Sequence, residues 1–241
     1  AWKLLVARKP GEKGAKADRV HVIRNWVNLD QVRPMQTSLA YRRELGFSDE
    51  DFIVLYSGNI GAKQGVRLLV EAARILKDDP GVVFAVAGQG PMRPEVDAAA
   101  RELASLRLLD FAPEERFGEF LNIADVHVLP QEREAADLLL PSKLGGMLAS
   151  GRRIIVTADA GTELATFLGD SCDLTPPGDA AALAAAVRRL KREQPEAAQE
   201  ADRLGRAASL SKTANIAAFV RAALLWPGGV ADAAHTSPQE A

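Results

Sequence analysis

A single cysteine, Cys172, stands among 241 residues, so no internal disulfide can form, and this usage fits a reducing compartment. Aromatic residues make up only 5% of the chain and no Arg/Lys stripe alternates with them, which argues against a nucleic-acid surface. No apolar run approaches the roughly 20 residues needed to span a bilayer. The start, Ala1-Trp2-Lys3-Leu4-Leu5-Val6-Ala7-Arg8-Lys9, carries a short apolar patch that soon turns basic, unlike a secretory signal. The expected location is therefore the cytoplasm. His21, His127 and His235 lie too far apart for a metal-ligand spacing, and no Ser/His/Asp set suggests itself. An initiating Met is also absent: the chain begins with Ala and its first Met is Met35, as expected of a processed chain or a piece of a longer one.

What is present is ordinary globular material, 47% apolar and 26% charged. The formal net charge of −2 conceals an asymmetry: residues 1–45 hold ten Lys/Arg against four Asp/Glu, a local +6, leaving −8 for the rest. The basic arm reads as a solvated linker; the alternative is contact with phosphates or with the anionic inner face of a membrane.

From residue 52 onward, short apolar runs alternate with amphipathic segments. Phe52–Ser57, Val82–Ala87, Leu106–Phe111, Asp125–Pro130 and Arg153–Thr157 read as strands, with a short sixth near 171–175. Between them, Val66, Leu69, Val70 and Ala73 share one helical face, and Leu183, Ala186, Val187 and Leu190 share another. Further helices are expected near 93–105, 113–123 and 142–150. Strands apolar throughout and separated by helices predict a doubly wound α/β domain with a mainly parallel sheet of about six strands, over residues 20–225. Residues 1–19 read as a linker arm and 226–241 as a frayed tail.

In such a sheet, ligands bind at the carboxyl ends of the strands. Three strand-to-helix loops there carry chemistry. Gly58-Asn59-Ile60-Gly61-Ala62-Lys63-Gln64-Gly65 is a glycine-rich turn before a helix start, suited to an anion such as a diphosphate, although it is neither G-x-G-x-x-G nor a Walker loop. Ala87-Gly88-Gln89-Gly90-Pro91 is a second such turn, readable as purely structural. In Pro141-Ser142-Lys143-Leu144-Gly145-Gly146, a hydroxyl, an ammonium and helix-start N–H groups can converge on phosphate oxygens. The plain alternative is a helix capped by Ser142 with Lys143 solvated. Elsewhere, Glu163 reads as a first-turn carboxylate, His127 as a core histidine and Cys172 as a small buried hydrophobe.

The ordered set of Val22-Ile23-Arg24-Asn25-Trp26-Val27-Asn28, Tyr56-Ser57-Gly58-Asn59-Ile60-Gly61, Val86–Pro91, Ala124–Pro130, Pro141-Ser142-Lys143-Leu144 and Pro176-Pro177-Gly178-Asp179 resembles the C-terminal domain of GT-B glycosyltransferases. It is most similar to the group-1, retaining, bacterial exopolysaccharide transferases of the colanic-acid type, over about residues 18–225. The resemblance implies one half of a GT-B fold and a UDP- or GDP-sugar donor, with no metal or other cofactor. It also implies an N-terminal domain, absent from this chain, that carries the acceptor site, and a lipid-linked acceptor at a membrane surface. The residues it places at the donor are Gly58, Asn59, Gly61, Gln64, Gly88, Ser142, Lys143, Gly145, Gly146 and Glu163.

Departures accompany the resemblance. Where the family places an Arg and a Lys in the first glycine loop, this chain has Asn59 and Gln64, with Lys63 one residue off; where it places two Glu residues, this chain has Leu138 and Gly146. Glu132 and Glu134 lie nearby at the wrong spacing. Lys143 is then expected to be the main positive side chain at the phosphates, exposed enough that its removal barely alters stability. An isolated half is expected to transfer no sugar. Two readings compete with a transferase: a non-catalytic nucleotide-sugar binding module, and another GT-B enzyme such as a sugar-nucleotide epimerase, whose carboxylates and histidine are not found.

Overall fold

The computed structural model describes residues 26–36, 39–131 and 140–224. The arm at 1–19, His21, the run Glu132–Leu138, His235 and the tail at 226–241 lie outside the described residues.

Six strands form one sheet: β1 (Phe52–Ser57), β2 (Val82–Ala87), β3 (Leu106–Leu109), β4 (Val126–Leu129), β5 (Arg153–Thr157) and β6 (Asp173–Thr175). All pairings are parallel and the spatial order is β3-β2-β1-β4-β5-β6. The helices are α1 (Leu39–Glu44), α2 (Val66–Ile75), α3 (Arg93–Glu102), α4 (Phe117–Leu121), α5 (Leu144–Ala149), α6 (Glu163–Leu168), α7 (Ala180–Arg192), α8 (Ala197–Ser209) and α9 (Lys212–Leu224).

Two cores follow from the period of two along each strand. Phe52, Val54 and Tyr56 of β1 face one side, where they join Leu69 of α2, Val96 of α3 and Leu183 of α7. Ile53 and Leu55 face the other, with Tyr41 of α1, Phe120 of α4, Met147 of α5, Leu168 of α6 and Ala207 of α8. A sheet covered on both faces needs strands apolar at every position, which is why β2 is buried from end to end.

Three elements differ from the sequence expectation, each for a local reason. The third strand stops at Leu109 because Asp110 turns out to accept from Arg93 at 2.8 Å and from Gln89 at 3.3 Å, leaving Phe111 exposed. The helix expected at 113–123 is a 3-10 turn, Glu114–Arg116, followed by the short α4; Asn122 ends it by donating through Nδ2 to the Gly118 carbonyl at 2.9 Å. The helix expected to run to residue 105 ends at Glu102, where Leu103 becomes extended.

The glycines sort by what a side chain would meet. Gly88 has φ +144°, and a Cβ there would sit 1.8 Å from the Gly58 carbonyl oxygen. Gly205 lies exposed within α8 with nothing within 4 Å of such an atom. Gly88→Ala is therefore expected to lower stability by more than about 3 kcal/mol, whereas Gly205→Ala raises it by about 0.5–1 kcal/mol. Thermal melts of the two variants check the pair, and equal shifts would contradict the backbone geometry at Gly88.

Candidate functional site

The order β3-β2-β1-β4-β5-β6 has a switch point: the chain leaving β1 winds toward β2, whereas the chain leaving β4 winds toward β5. The carboxyl ends of β1 and β4 thus diverge and open a crevice between their loops. One wall is the loop after β1, Gly58–Gly65, which passes through a 3-10 turn at Ala62–Gln64 before α2. Gly65, at φ +62°, makes the tight entry into α2 and lies so close to the chain after β4 that a Cβ would be 2.9 Å from Pro130 Cβ.

The loops after β1 and β2 are a single backbone unit. The Gly58 N–H donates to the Ala87 carbonyl at 2.9 Å, Ile60 N–H to Gln89 at 2.8 Å, and Met92 N–H back to Ile60 at 2.9 Å. Arg93, in the first turn of α3, donates to the carbonyls of Gly88 and, at 3.1 Å, Leu109, and pairs with Asp110. Side chains stand over this plate: Asn59 Nδ2 lies 3.4 Å from Gln64 Oε1, and both amides crowd the space above Gly61.

Lys143 enters from the opposite wall, at the start of α5. Its Nζ sits 3.9 Å from the centroid of the Tyr56 ring and 3.3 Å from where a Cβ on Gly58 would be. That Nζ is sealed from solvent and, among the described residues, has no hydrogen-bond partner. Burial pulls the amine down to about 8, since a desolvated ammonium costs free energy that the ring face only partly offsets. Lys143 is thus not the solvated side chain expected from the sequence. The reason is Tyr56, which is distant in the chain and stands directly beneath it.

The remaining expected residues are spread along the same sheet edge. Gly88 touches Gly58 through its backbone and belongs to the plate. Ser142 is exposed, and α5 carries no side-chain cap, so a Ser142-capped helix is not what forms. Gly145 and Gly146 turn their Cα faces into packing, toward Val27 Cβ (3.0 Å from an added Cβ) and Leu121 Cδ1 (3.1 Å), rather than toward the crevice. Glu163 is exposed in the first turn of α6, whose cap is Thr162, accepting from the Ala165 N–H at 3.2 Å. Lys63 is exposed. Cys172 is half-buried rather than fully enclosed, and burial pushes its thiol up to about 12.

Sequence reasoning passed over Tyr56, Arg93 and Thr157. Thr157, the last residue of β5, holds the chain leaving β4: its Oγ1 accepts from the Gln131 N–H at 2.7 Å and donates to the Gln131 carbonyl at 3.0 Å. Tyr56 carried a usable signal, a phenol one residue from a strand end, where its hydroxyl can reach the following loop. Arg93 carried none, because a charged residue in a first helical turn is usually solvated.

Comparison with known proteins agrees with this geometry. Residues 51–193 match the family model for glycosyl transferases group 1, and the chain belongs to that family. It is 36% identical over 190 residues to WcaI of Escherichia coli K12, whose name assigns it provisionally as a colanic acid biosynthesis glycosyl transferase, covering 74% of this chain and 45% of that protein. EpsD of Bacillus subtilis, provisionally named a glycosyltransferase, is 28% identical over 82% of this chain and 51% of its own length. The chain thus spans about half the length of these curated relatives. Among solved structures, Anabaena HepE in complex with UDP-glucose superposes with a TM-score of 0.71 at 17% identity, over 88% of this chain and 59% of that one. WaaG, a glycosyltransferase involved in lipopolysaccharide biosynthesis, gives 0.67 at 17% identity over 89% and 58%. The Rossmann-like sheet shares the fold of these structures, one half of the GT-B architecture.

His127, fully buried on β4, takes no part in the crevice. Its Nε2 lies 3.1 Å from Ser150 Oγ, and burial, aided by the Arg152 guanidinium, brings the imidazole down to about 3. The folded protein then holds this histidine neutral where the unfolded chain protonates it, so stability falls as pH drops from about 6.5 toward 3. His127→Gln is expected to remove about one proton from that acid-side dependence. Denaturant titrations between pH 7 and 4 measure it, and an unchanged slope would show that His127 is not the group responsible.

Proposed function

We propose that this chain is the donor-binding half of a metal-independent, retaining glycosyltransferase. It moves a hexosyl unit from a UDP- or GDP-sugar onto a bacterial surface or exported polysaccharide. The observation that carries the proposal is Lys143: an amine sealed from water, without an acceptor among the described residues, at the sheet's switch point and against a glycine loop. A buried ammonium lacking a counter-charge is destabilising on its own, and a diphosphate supplies that counter-charge. HepE, solved with UDP-glucose, and WcaI, named for colanic acid biosynthesis, support the donor and product classes.

In this reading, the sugar leaves behind a nucleoside diphosphate whose growing negative charge needs stabilisation. At the loop mouth, Nζ, still over the Tyr56 ring, is the group that meets the phosphate oxygens. Asn59 and Gln64 offer neutral amide donors where the family usually has cations. Glu163, exposed in the first turn of α6, is the carboxylate this reading assigns to the sugar side. Acceptor groups belong to the half of the relatives that this chain does not span, so the chain alone is expected to bind nucleotide and transfer no sugar. A lipid-linked acceptor would bring the protein to the inner face of the membrane; among the described residues, no helix is long and apolar enough to cross one.

Lys143→Met separates binding from stability. It should weaken UDP or GDP binding by about 1.5–3 kcal/mol, the scale of a charge-assisted hydrogen bond, while raising the melting temperature, because an unpaired buried amine is removed. Calorimetry and thermal melts read the two effects. Equal nucleotide affinity in both proteins would remove Lys143 from the site.

The pH dependence has a definite sign. Below about pH 8 the empty folded protein carries Lys143 charged, and from there to the ordinary lysine value only the unfolded chain keeps the proton. Stability therefore rises with pH across that window. A bound diphosphate restores the proton, so nucleotide binding near pH 8.5 should take up protons and weaken as pH increases. Calorimetry in buffers of different ionisation enthalpy detects the uptake, which should vanish in Lys143→Met.

A further inference from the structure

We propose that Tyr56 is a positioning residue of the donor site, seating the Lys143 amine with its ring and pinning the Gly58–Gly65 loop with its hydroxyl. The proposal rests on the reading of Lys143 as a phosphate-binding group and extends it to the residue that prepares that group.

Tyr56 is 1% exposed, on the face of β1 that it shares with Phe52 and Val54. A phenylalanine would fill that volume equally well. What the hydroxyl adds is a bond to the loop: it donates to the Asn59 carbonyl at 2.6 Å, fixing the backbone one residue beyond Gly58. Burial pushes the phenol far above its usual range, so it remains a donor at every pH at which the protein works. The ring acts on a different neighbour. Lys143 Nζ lies over it at 3.9 Å, and the Lys143 Cδ and Cε lie 3.6 and 3.7 Å from where a Gly58 Cβ would be. With solvent excluded from Nζ, the negative ring face is what the amine rests on.

One side chain therefore ties together two structures from opposite sides of the switch point, the loop after β1 and the start of α5. In the empty protein the amine is already held against the loop, and the loop carbonyl is already fixed. Ordering that would otherwise oppose ligand binding is complete beforehand, which is how preorganisation raises affinity. Leucine at this position would fill much of the volume but supply neither the ring face nor the hydroxyl. Phenylalanine would supply the face alone.

The test uses the full chain, lysine labelled with 13C at Cε, and UDP as the probe. Lys143→Met assigns the Lys143 resonance. In the wild type and in Tyr56→Phe, that resonance should show an upfield ring-current shift, which Tyr56→Leu should abolish. A purely structural tyrosine would not produce this signature. UDP binding by calorimetry at pH 7 should weaken about 3- to 10-fold in Tyr56→Phe, through the loosened loop, and about 10- to 30-fold in Tyr56→Leu. An upfield shift that persists in Tyr56→Leu, or a folded Tyr56→Leu that binds UDP within twofold of wild type, overturns the proposal. Should Tyr56→Leu fail to fold, Tyr56→Phe decides: unchanged UDP affinity there overturns the pinning role, and a lost ring-current shift there overturns the seating role. If instead the wild type and Lys143→Met bind UDP equally, the phosphate-binding reading fails, while the resonance still reports whether Tyr56 seats the amine.

Discussion

The common direction of all six strands governs the rest of this molecule. Because every strand points the same way, the chain leaves all of them along one edge of the sheet and returns along the other. The leaving edge collects glycine turns and helix-start N–H groups, and the returning edge collects helix-end carbonyls. Each edge must be satisfied chemically, and the two are satisfied differently. Along the returning edge, basic side chains hold the carbonyls: Arg42 that of Ile123 at 2.9 Å, Arg153 those of Leu190 and Glu193 at 2.6 and 3.0 Å, and Arg203 those of Gly151 and Ser171 at 3.1 and 3.0 Å. Arg206 holds the Phe167 carbonyl and Arg188 that of Ile75. The leaving edge places Lys143, without an acceptor among the described residues, beside a glycine plate, a polarity that suits an incoming anion.

Much of this architecture is legible in the sequence because burial on both faces forces unbroken apolar strands. Phe52–Ser57, Val82–Ala87 and Arg153–Thr157 are recognisable for that reason, and so are the glycines that end the first two. Ends set by side-chain hydrogen bonds are harder to read. Asp110 stops β3 and Asn122 stops α4 through partners that only the folded chain brings close, and neither residue differs in type from those of an ordinary loop.

The site was legible in part. Its loops follow from where strands meet helices, and Gly58, Gly88 and Lys143 do gather near one crevice. The chemical state of Lys143 was not legible, because it depends on an aromatic ring contributed by another strand. Gly145 and Gly146 misled in the opposite direction: adjacent glycines at a helix start suggest room for a ligand, yet their bare Cα atoms admit Val27 and Leu121. Close approach between segments and close approach to a ligand call for the same residue type, and only the neighbours distinguish them.

The stitching of the two glycine loops bears on how the crevice can respond to a bound molecule. With Gly58, Ile60 and Met92 each donating into the neighbouring loop, and Arg93 holding two carbonyls behind them, neither loop can swing without breaking the other's hydrogen bonds. The backbone of the cradle behaves as a fixed anvil rather than a jaw. Adjustment within the crevice then falls to side chains such as Asn59 and Gln64, over a floor that stays still.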